Sequence, residues 1–432
     1  MIPPLPSRLI DTQAPTLTGW RLQSRTHELA RETVYMTLSH RWGQAEFLSL
    51  ADSTRHALEA GVIPLLRLPK TFADAISVTR RLNVRYLWID SLCIQQDSLD
   101  DWRKESIKMR SVYSNAYCNI AAVDALDANS GLFFDRDMAS ISCAHENRSN
   151  KVKYIIFNAD FWVDNVERGP LASRAWVLQE RMLAKRTLHF GKEQVFWECA
   201  QLTASETCPE ELLSTVFDIR RPTIKVGNPL FSTTASETYM GNPRQHKLAL
   251  DNLMAFWRRI VNQYARCELT KVNDKLVAIA GIASQLEPKM KVAYHAGLWS
   301  YNMVSELMWS VSGCKKANGE ASVRPPGRRA PTWSWASIDG LVRCNEIDFE
   351  SQMDACFCLP LGHYIWPDNP EAPIVEGLVL QMFESSACLY SRVGIFRTNA
   401  KKTCQALGIE FPHGEALGSP LRDLFQQVLT LN

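Results

Sequence analysis

The chain has 432 residues, 46% of them hydrophobic, which is more apolar mass than one ordinary core absorbs and predicts two or three folded domains. Its 48 basic and 46 acidic side chains are spread evenly and leave a net charge of +2, so there is no electrostatic footprint for nucleic acid or an anionic membrane. The longest weakly polar run, Leu276 to Leu286, is too short to span a bilayer, and the first residues lack the apolar core of a signal peptide. A cytoplasmic protein is expected, and its twelve scattered cysteines read as reduced, mostly buried thiols.

In chain order, Val34 to Ser39 reads as a strand that stops at the turn Ser39-His40-Arg41-Trp42-Gly43. Pro69 starts a helix with Phe72, Ala75, Ile76, Thr79 and Leu82 on one face, and a buried strand follows from Arg85 to Asp90. A polar turn at Asp97 to Asp101 leads into a helix carrying Trp102, Glu105, Met109, Val112 and Tyr113, then into a third strand, Tyr117 to Val123. This alternation predicts an α/β fold built on a parallel sheet.

Beyond a polar stretch and a strand-like Tyr154 to Phe157, residues Leu171, Ala175, Leu178 and Met182 recur at helical spacing and predict a core-facing stripe. Ser173, Trp176 and Glu180 then fall on roughly the opposite side. Short strands follow at Thr187 to Phe190 and Gln194 to Cys199. Residues 201–250, rich in Ser, Thr, Pro and Glu, read as a linker or large loop. Residues 251–432 read as a mixed α+β region: helices at Asp251 to Cys267 and Lys275 to Leu286, a basic Pro-rich loop from Lys315 to Pro331, and strands that include Thr332 to Ile338, Leu378 to Phe383 and Val393 to Phe396.

Glu180 is the foremost site candidate. Its helical neighbours, Trp176, Val177, Leu183 and Ala184, are all apolar and would disfavour its charge. The bland alternative is a tertiary ion pair with a distant arginine. Ligands of parallel sheets bind beyond the carboxyl ends of the strands, which singles out Ser39 to Gly43 and Asp90. There Arg41 or His40 would hold a phosphate or carboxylate, Trp42 would stack, and Gly43 would let a ligand approach the backbone. Equally, Trp42 could be core, Gly43 a turn and Asp90 a cap. A Cys93 nucleophile with His40 as its base is disfavoured by the apolar run around the cysteine. The chain has no metal-type His or Cys spacing, no dinucleotide fingerprint and no P-loop, so neither metal nor cofactor is expected. Trp333 and Trp335 read as core residues on one strand face.

Tyr35-Met-Thr-Leu-Ser-His-Arg-Trp-Gly43, Leu87-Trp-Ile-Asp-Ser-Leu-Cys-Ile-Gln-Gln-Asp97, the series Glu105, Met109, Tyr113 and Ala116, and Arg174-Ala-Trp-Val-Leu-Gln-Glu180 followed by Trp197-Glu-Cys199 together resemble the fungal heterokaryon-incompatibility (HET) domain. Two positions depart from the family pattern: His40 replaces its usual tyrosine and Gln95 its usual asparagine. The resemblance implies an N-terminal extension over 1–30, a HET domain over 31–200, and a role in fungal non-self recognition and programmed cell death. It further implies a TIR-like, that is flavodoxin-like, parallel sheet, since HET domains look like distant relatives of TIR domains. Some TIR domains cleave NAD with a glutamate four residues after a tryptophan, a spacing that Trp176 and Glu180 match. By that analogy NAD is the substrate, Glu180 is catalytic, Trp176 forms a wall, and Arg174 or Arg41 holds a phosphate. The same family also implies self-association and an allelic or non-allelic incompatibility partner. Two alternatives stay open: a non-catalytic assembly module, and a small-molecule enzyme or accessory factor of another kind.

Overall fold

A computed structural model describes residues 4–136, 160–210, 225, 228–231 and 243–344, without 45–46, 302, 308, 312–319, 321 and 328, together with the backbone of strands at 144–146, 153–155, 362–366, 369–384 and 389–399. The chain divides into two compact units, one of residues 1–249 and 267–290 and one of residues 250–266 and 291–432.

The first unit is built on an eight-stranded mixed sheet. Its strands are β1 (Leu9–Asp11), β2 (Arg21–Gln23), β3 (Tyr35–Ser39), β4 (Tyr86–Ile89), β5 (Cys118–Ala121), β8 (Arg186–Phe190), β9 (Val195–Cys199) and β10 (Thr203–Ser205); β6 (Ala144–Glu146) and β7 (Lys153–Ile155) form a separate hairpin. The spatial order is β10-β9-β8-β5-β3-β4-β1-β2. β3 runs parallel to β4 and β5, and β5 parallel to β8, while every other pairing is antiparallel. Thus the expected parallel sheet exists only as a four-stranded centre, extended on each side by antiparallel strands. The difference follows from burial. All residues of β3, β4 and β5 are buried, as strands covered on both faces require, whereas β9 alternates buried and half-buried positions and so leaves one face partly open. β1 and β2 come from the residues set apart as an extension, and β10 from those expected to be a linker.

The helices of this unit are α1 (Asp52–Ala60), α2 (Lys70–Arg81), the one-turn α3 (Asp90–Cys93), α4 (Leu99–Asn115), α5 (Ala175–Leu183) and α7 (Val277–Met290). Phe72, Ala75, Ile76 and Thr79 of α2 are buried as their spacing predicts, but Leu82 caps the helix and is 43% exposed. Ser98 caps α4 by accepting the Asp101 N–H at 3.2 Å, with Asp100 and Asp101 complementing the helix dipole in the first turn. The stripe that begins at Leu171 is not one helix. A 3₁₀ turn, Pro170–Ser173, ends at an extended Arg174, and α5 starts after it. Every residue of α5 except Trp176 is buried, because the helix packs against both α4 and α7. α7 comes close enough to α5 that a Cβ on Gly281 would lie 2.5 Å from Gln179 Oε1; Gly281 N–H instead donates to that oxygen at 2.7 Å.

The second unit contains α6 (Pro243–Tyr264) from Leu250 onward, the two-residue strands β11 (Tyr294–His295) and β12 (Leu298–Trp299), α8 (Met303–Leu307), β13 (Ser310–Val311) paired with β14 (Val342–Arg343), and a three-stranded antiparallel sheet. That sheet comprises β15 (Gly362–Trp366), β16 (Asn369–Glu384) and β17 (Leu389–Asn399), and it includes the strands expected at 378–383 and 393–396. Trp257, Trp299 and Trp335 are wholly buried, and the indole N–H groups of Trp257 and Trp335 both donate to Gly297 O, at 3.0 and 2.9 Å. Residues Trp335–Ser337 form a 3₁₀ turn rather than the expected strand. The Ser334 hydroxyl accepts the Ala336 N–H at 3.0 Å, a local bond that competes with ladder pairing. Much of the basic Pro-rich loop lies outside the described residues.

Candidate functional site

Chain order within the parallel centre reverses between β3 and β5, the kind of switch point at which α/β sheets bind ligands. β3 and β4 are paired in register through Leu38 and Ile89, so Ser39-His40 and Asp90 leave the sheet at the same edge. A cleft of about 880 Å³ opens there, within the size range of small-molecule sites. Arg41, Trp42, Gly43, Asp90, Arg174, Trp176 and Glu180 all line it. Ser39 and His40, at 2% and 1% exposure, are not among its lining residues.

Glu180 is 3% exposed, its Oε2 has no hydrogen-bond partner, and it makes no ion pair among the described residues. The tertiary ion pair weighed as its alternative role is therefore not formed. Burial pushes its carboxyl up to about 7; the charge of Arg174 and the hydroxyls of Ser39 and Tyr113 oppose the rise, and Asp90 adds to it. Arg174 stands at the break before α5, and its guanidinium donates to the His40 carbonyl oxygen. Asp90 opens α3, where its carboxylate accepts the Ser91 N–H at 2.7 Å and the Trp42 indole N–H at 3.0 Å. From the first turn of α3 it anchors a wall residue.

His40 sits inside the wall. Its ring meets Phe72 edge-on at 4.9 Å, neither ring nitrogen is hydrogen-bonded, and Nδ1 is 3.6 Å from Asp90 Oδ1. Burial lowers its pKa to about 4 against the pull of Asp90, so the imidazole is neutral near pH 7. Gly43 has φ +71°, and a Cβ there would lie 2.4 Å from Asp127 Cβ, so the close approach it permits is to Asp127. Cys93 is wholly buried with its thiol pushed up to about 12, the opposite of an activated nucleophile.

Sequence reasoning missed the far wall. Glu268, Lys271 and Asp274, beyond the expected linker, line the same cleft. Backbone pairing holds this segment to the start of α5: Ala175 N–H donates to Glu268 O at 3.0 Å and Glu268 N–H to Ser173 O at 2.6 Å. No local signal in residues 267–275 could have revealed a contact made 94 residues away in the chain. Asp274 is raised by burial, with the Lys271 charge and the Trp176 indole N–H pulling it the other way.

A second polar cluster lies away from the cleft. Glu198 of β9, 0% exposed, accepts two hydrogen bonds from Arg181 at 2.8 and 2.7 Å, pairs with His189 Nε2 at 3.0 Å, and has Lys225 Nζ at 3.9 Å. These cations and hydrogen bonds overcome burial and hold its carboxyl well below the usual range. Among the described residues no group of three or more His, Cys, Asp and Glu is arranged to hold a metal ion, and no helix is long and apolar enough to cross a membrane.

Residues 35–180, about a third of the chain and the part that carries β3, Asp90 and Glu180, match the family model for the heterokaryon incompatibility protein (HET). No curated protein and no solved structure matches the chain.

Proposed function

We propose, for a chain whose residues 35–180 are a HET domain and which is thereby tied to heterokaryon incompatibility, that the cleft hydrolyses NAD at its nicotinamide glycosidic bond. The observation that carries this reading is the buried, unpartnered Oε2 of Glu180 in a cleft of small-molecule size. The order of the four parallel strands, 2-1-3-4 when numbered among themselves, supports a TIR-like ancestry, since flavodoxin-like sheets share it.

In the proposed step the bond from ribose C1′ to the pyridinium nitrogen breaks and its electron pair neutralises the ring. C1′ becomes oxocarbenium-like, and the Glu180 carboxylate, poorly solvated and so electrostatically effective, stabilises that cation. A water oxygen then bonds to C1′ and releases one proton to solvent, leaving nicotinamide and ADP-ribose. The incoming cationic ring favours the ionised form of Glu180, whose pKa of about 7 leaves it partly protonated in the free protein. Trp42 and Trp176 provide flat walls, Asp90 fixes the first of them, and Arg41 and Arg174 offer positive charge. Ser39 and His40 act from behind the wall as supports. The protein works in the cytoplasm, self-associates, and answers an incompatibility partner by committing the cell to death.

The test is nicotinamide release from NAD by the purified chain, with Glu180→Gln alongside. A fall of about 10²–10³-fold in the variant is expected from losing one charge-stabilising group. No release by the parent protein, or equal release by both, overturns the reading and favours assembly without catalysis.

A further inference from the structure

We infer that Lys271 and Arg41 form a two-armed phosphate clamp across the cleft, which selects an anionic nucleotide with two linked phosphates; this rests on reading the cleft as a nucleotide site. Three cationic side chains line it, Arg41, Arg174 and Lys271, and they are not equivalent. Arg174 is committed to the His40 carbonyl. Arg41 makes no hydrogen bond or ion pair among the described residues, and Lys271 makes no ion pair there; its ammonium stands 5.3 Å from the centroid of the Trp102 ring, another lining residue.

Six carboxylates line the cleft; none is in an ion pair with Arg41 or Lys271 among the described residues, although Asp274 feels the Lys271 charge, and three are engaged elsewhere. Asp90 already accepts from Trp42 and Ser91, Asp97 from the Asp52 N–H at 2.8 Å, and Asp127 from the Asn129 N–H and the Ser130 hydroxyl, both at 2.9 Å. Arg41 and Lys271, neither of them in an ion pair among the described residues, suit phosphate oxygens, which accept charge-assisted hydrogen bonds. The arms come from different parts of the chain. Arg41 follows β3 inside the family match, whereas Lys271 lies 91 residues beyond its end and is held in place by the pairing of Glu268 with Ser173 and Ala175. The wall that carries Lys271 is therefore fixed to the backbone that starts the Glu180 helix.

The probe is ADP, which has the two phosphates but no nicotinamide and no scissile bond. Calorimetric titration of the full chain should show ADP binding that weakens about tenfold in Lys271→Ala and in Arg41→Ala, one charge-assisted contact each, with Lys271→Arg within about threefold of the parent. NAD turnover in Lys271→Ala should show a raised KM with kcat changed less than about twofold, because the clamp holds ground and transition states alike. Equal ADP affinity in parent and both alanine variants overturns the clamp, as does failure of the parent to bind ADP, even if nicotinamide is still released. Lys271-dependent ADP binding without nicotinamide release sustains the clamp and removes the hydrolysis.

Discussion

Glu180 and Glu198 sit 18 residues apart, at 3% and 0% exposure, and their environments drive them in opposite directions. Glu198 is surrounded by Arg181, Lys225 and His189 and is held ionised; Glu180 has one unpartnered oxygen, the charge of Arg174 without an ion pair among the described residues, and a neighbouring aspartate, and its carboxyl is pushed up to about 7. α5 makes the division, sending Glu180 to the cleft and the next residue, Arg181, to the Glu198 cluster. Burial alone thus does not fix a carboxylate's charge. What separates the two is whether the protein has supplied its counter-charges.

The strongest way to break the contrast is Glu198→Ala, which strands Arg181 and Lys225 in a buried site and should cost about 3–5 kcal/mol in urea denaturation at pH 7. A loss under about 1 kcal/mol would mean that water replaces the carboxylate there. Glu180→Gln should do the reverse. The folded pKa of about 7 lies above the ordinary 4.5, so the carboxylate weakens the fold progressively as pH rises from 4.5 and fully above 7. The variant should therefore gain up to about 3 kcal/mol at pH 8 and nothing below pH 4.5, measured as paired denaturation midpoints. A constant difference across pH would contradict the assignment. The smallest effect belongs to His40→Phe. With its pKa lowered from 6.5 to about 4, His40 lends stability above pH 6.5 that drains away as pH falls toward 4. The phenylalanine variant should lack about 2 kcal/mol of the parent's loss between pH 7 and pH 5; an unchanged acid limb would assign that loss to His189 alone.

The near wall of the cleft was legible in the sequence because its signals are local. Apolar residues at every helical neighbour position of Glu180 forecast its poor solvation, and the β3 turn and Asp90 were readable as strand ends. Four features were not legible in it. β1 and β2 have three residues each, too few for a periodicity to register. The 3₁₀ turn at Pro170–Ser173 keeps the spacing of a helix while breaking its axis, which disguised how α5 is enclosed. Trp333-Ser334-Trp335 alternates like a strand, yet the Ser334 cap turns it into a 3₁₀ turn. The segment carrying Lys271 is held beside the cleft by backbone pairing of Glu268 with residues 173–175, and backbone pairing leaves no side-chain signature.

The first unit leaves its own chain at residue 249 and resumes at 267, and that interruption sets a clock on synthesis. A nascent chain that has just emerged through β10 possesses every residue of the family match, but the backbone edge at Ser173 and Ala175 and the Gln179 amide oxygen still await Glu268 and Gly281. At roughly 5–20 residues per second those partners arrive seconds later, so the Glu180 helix is completed as a late event on the ribosome.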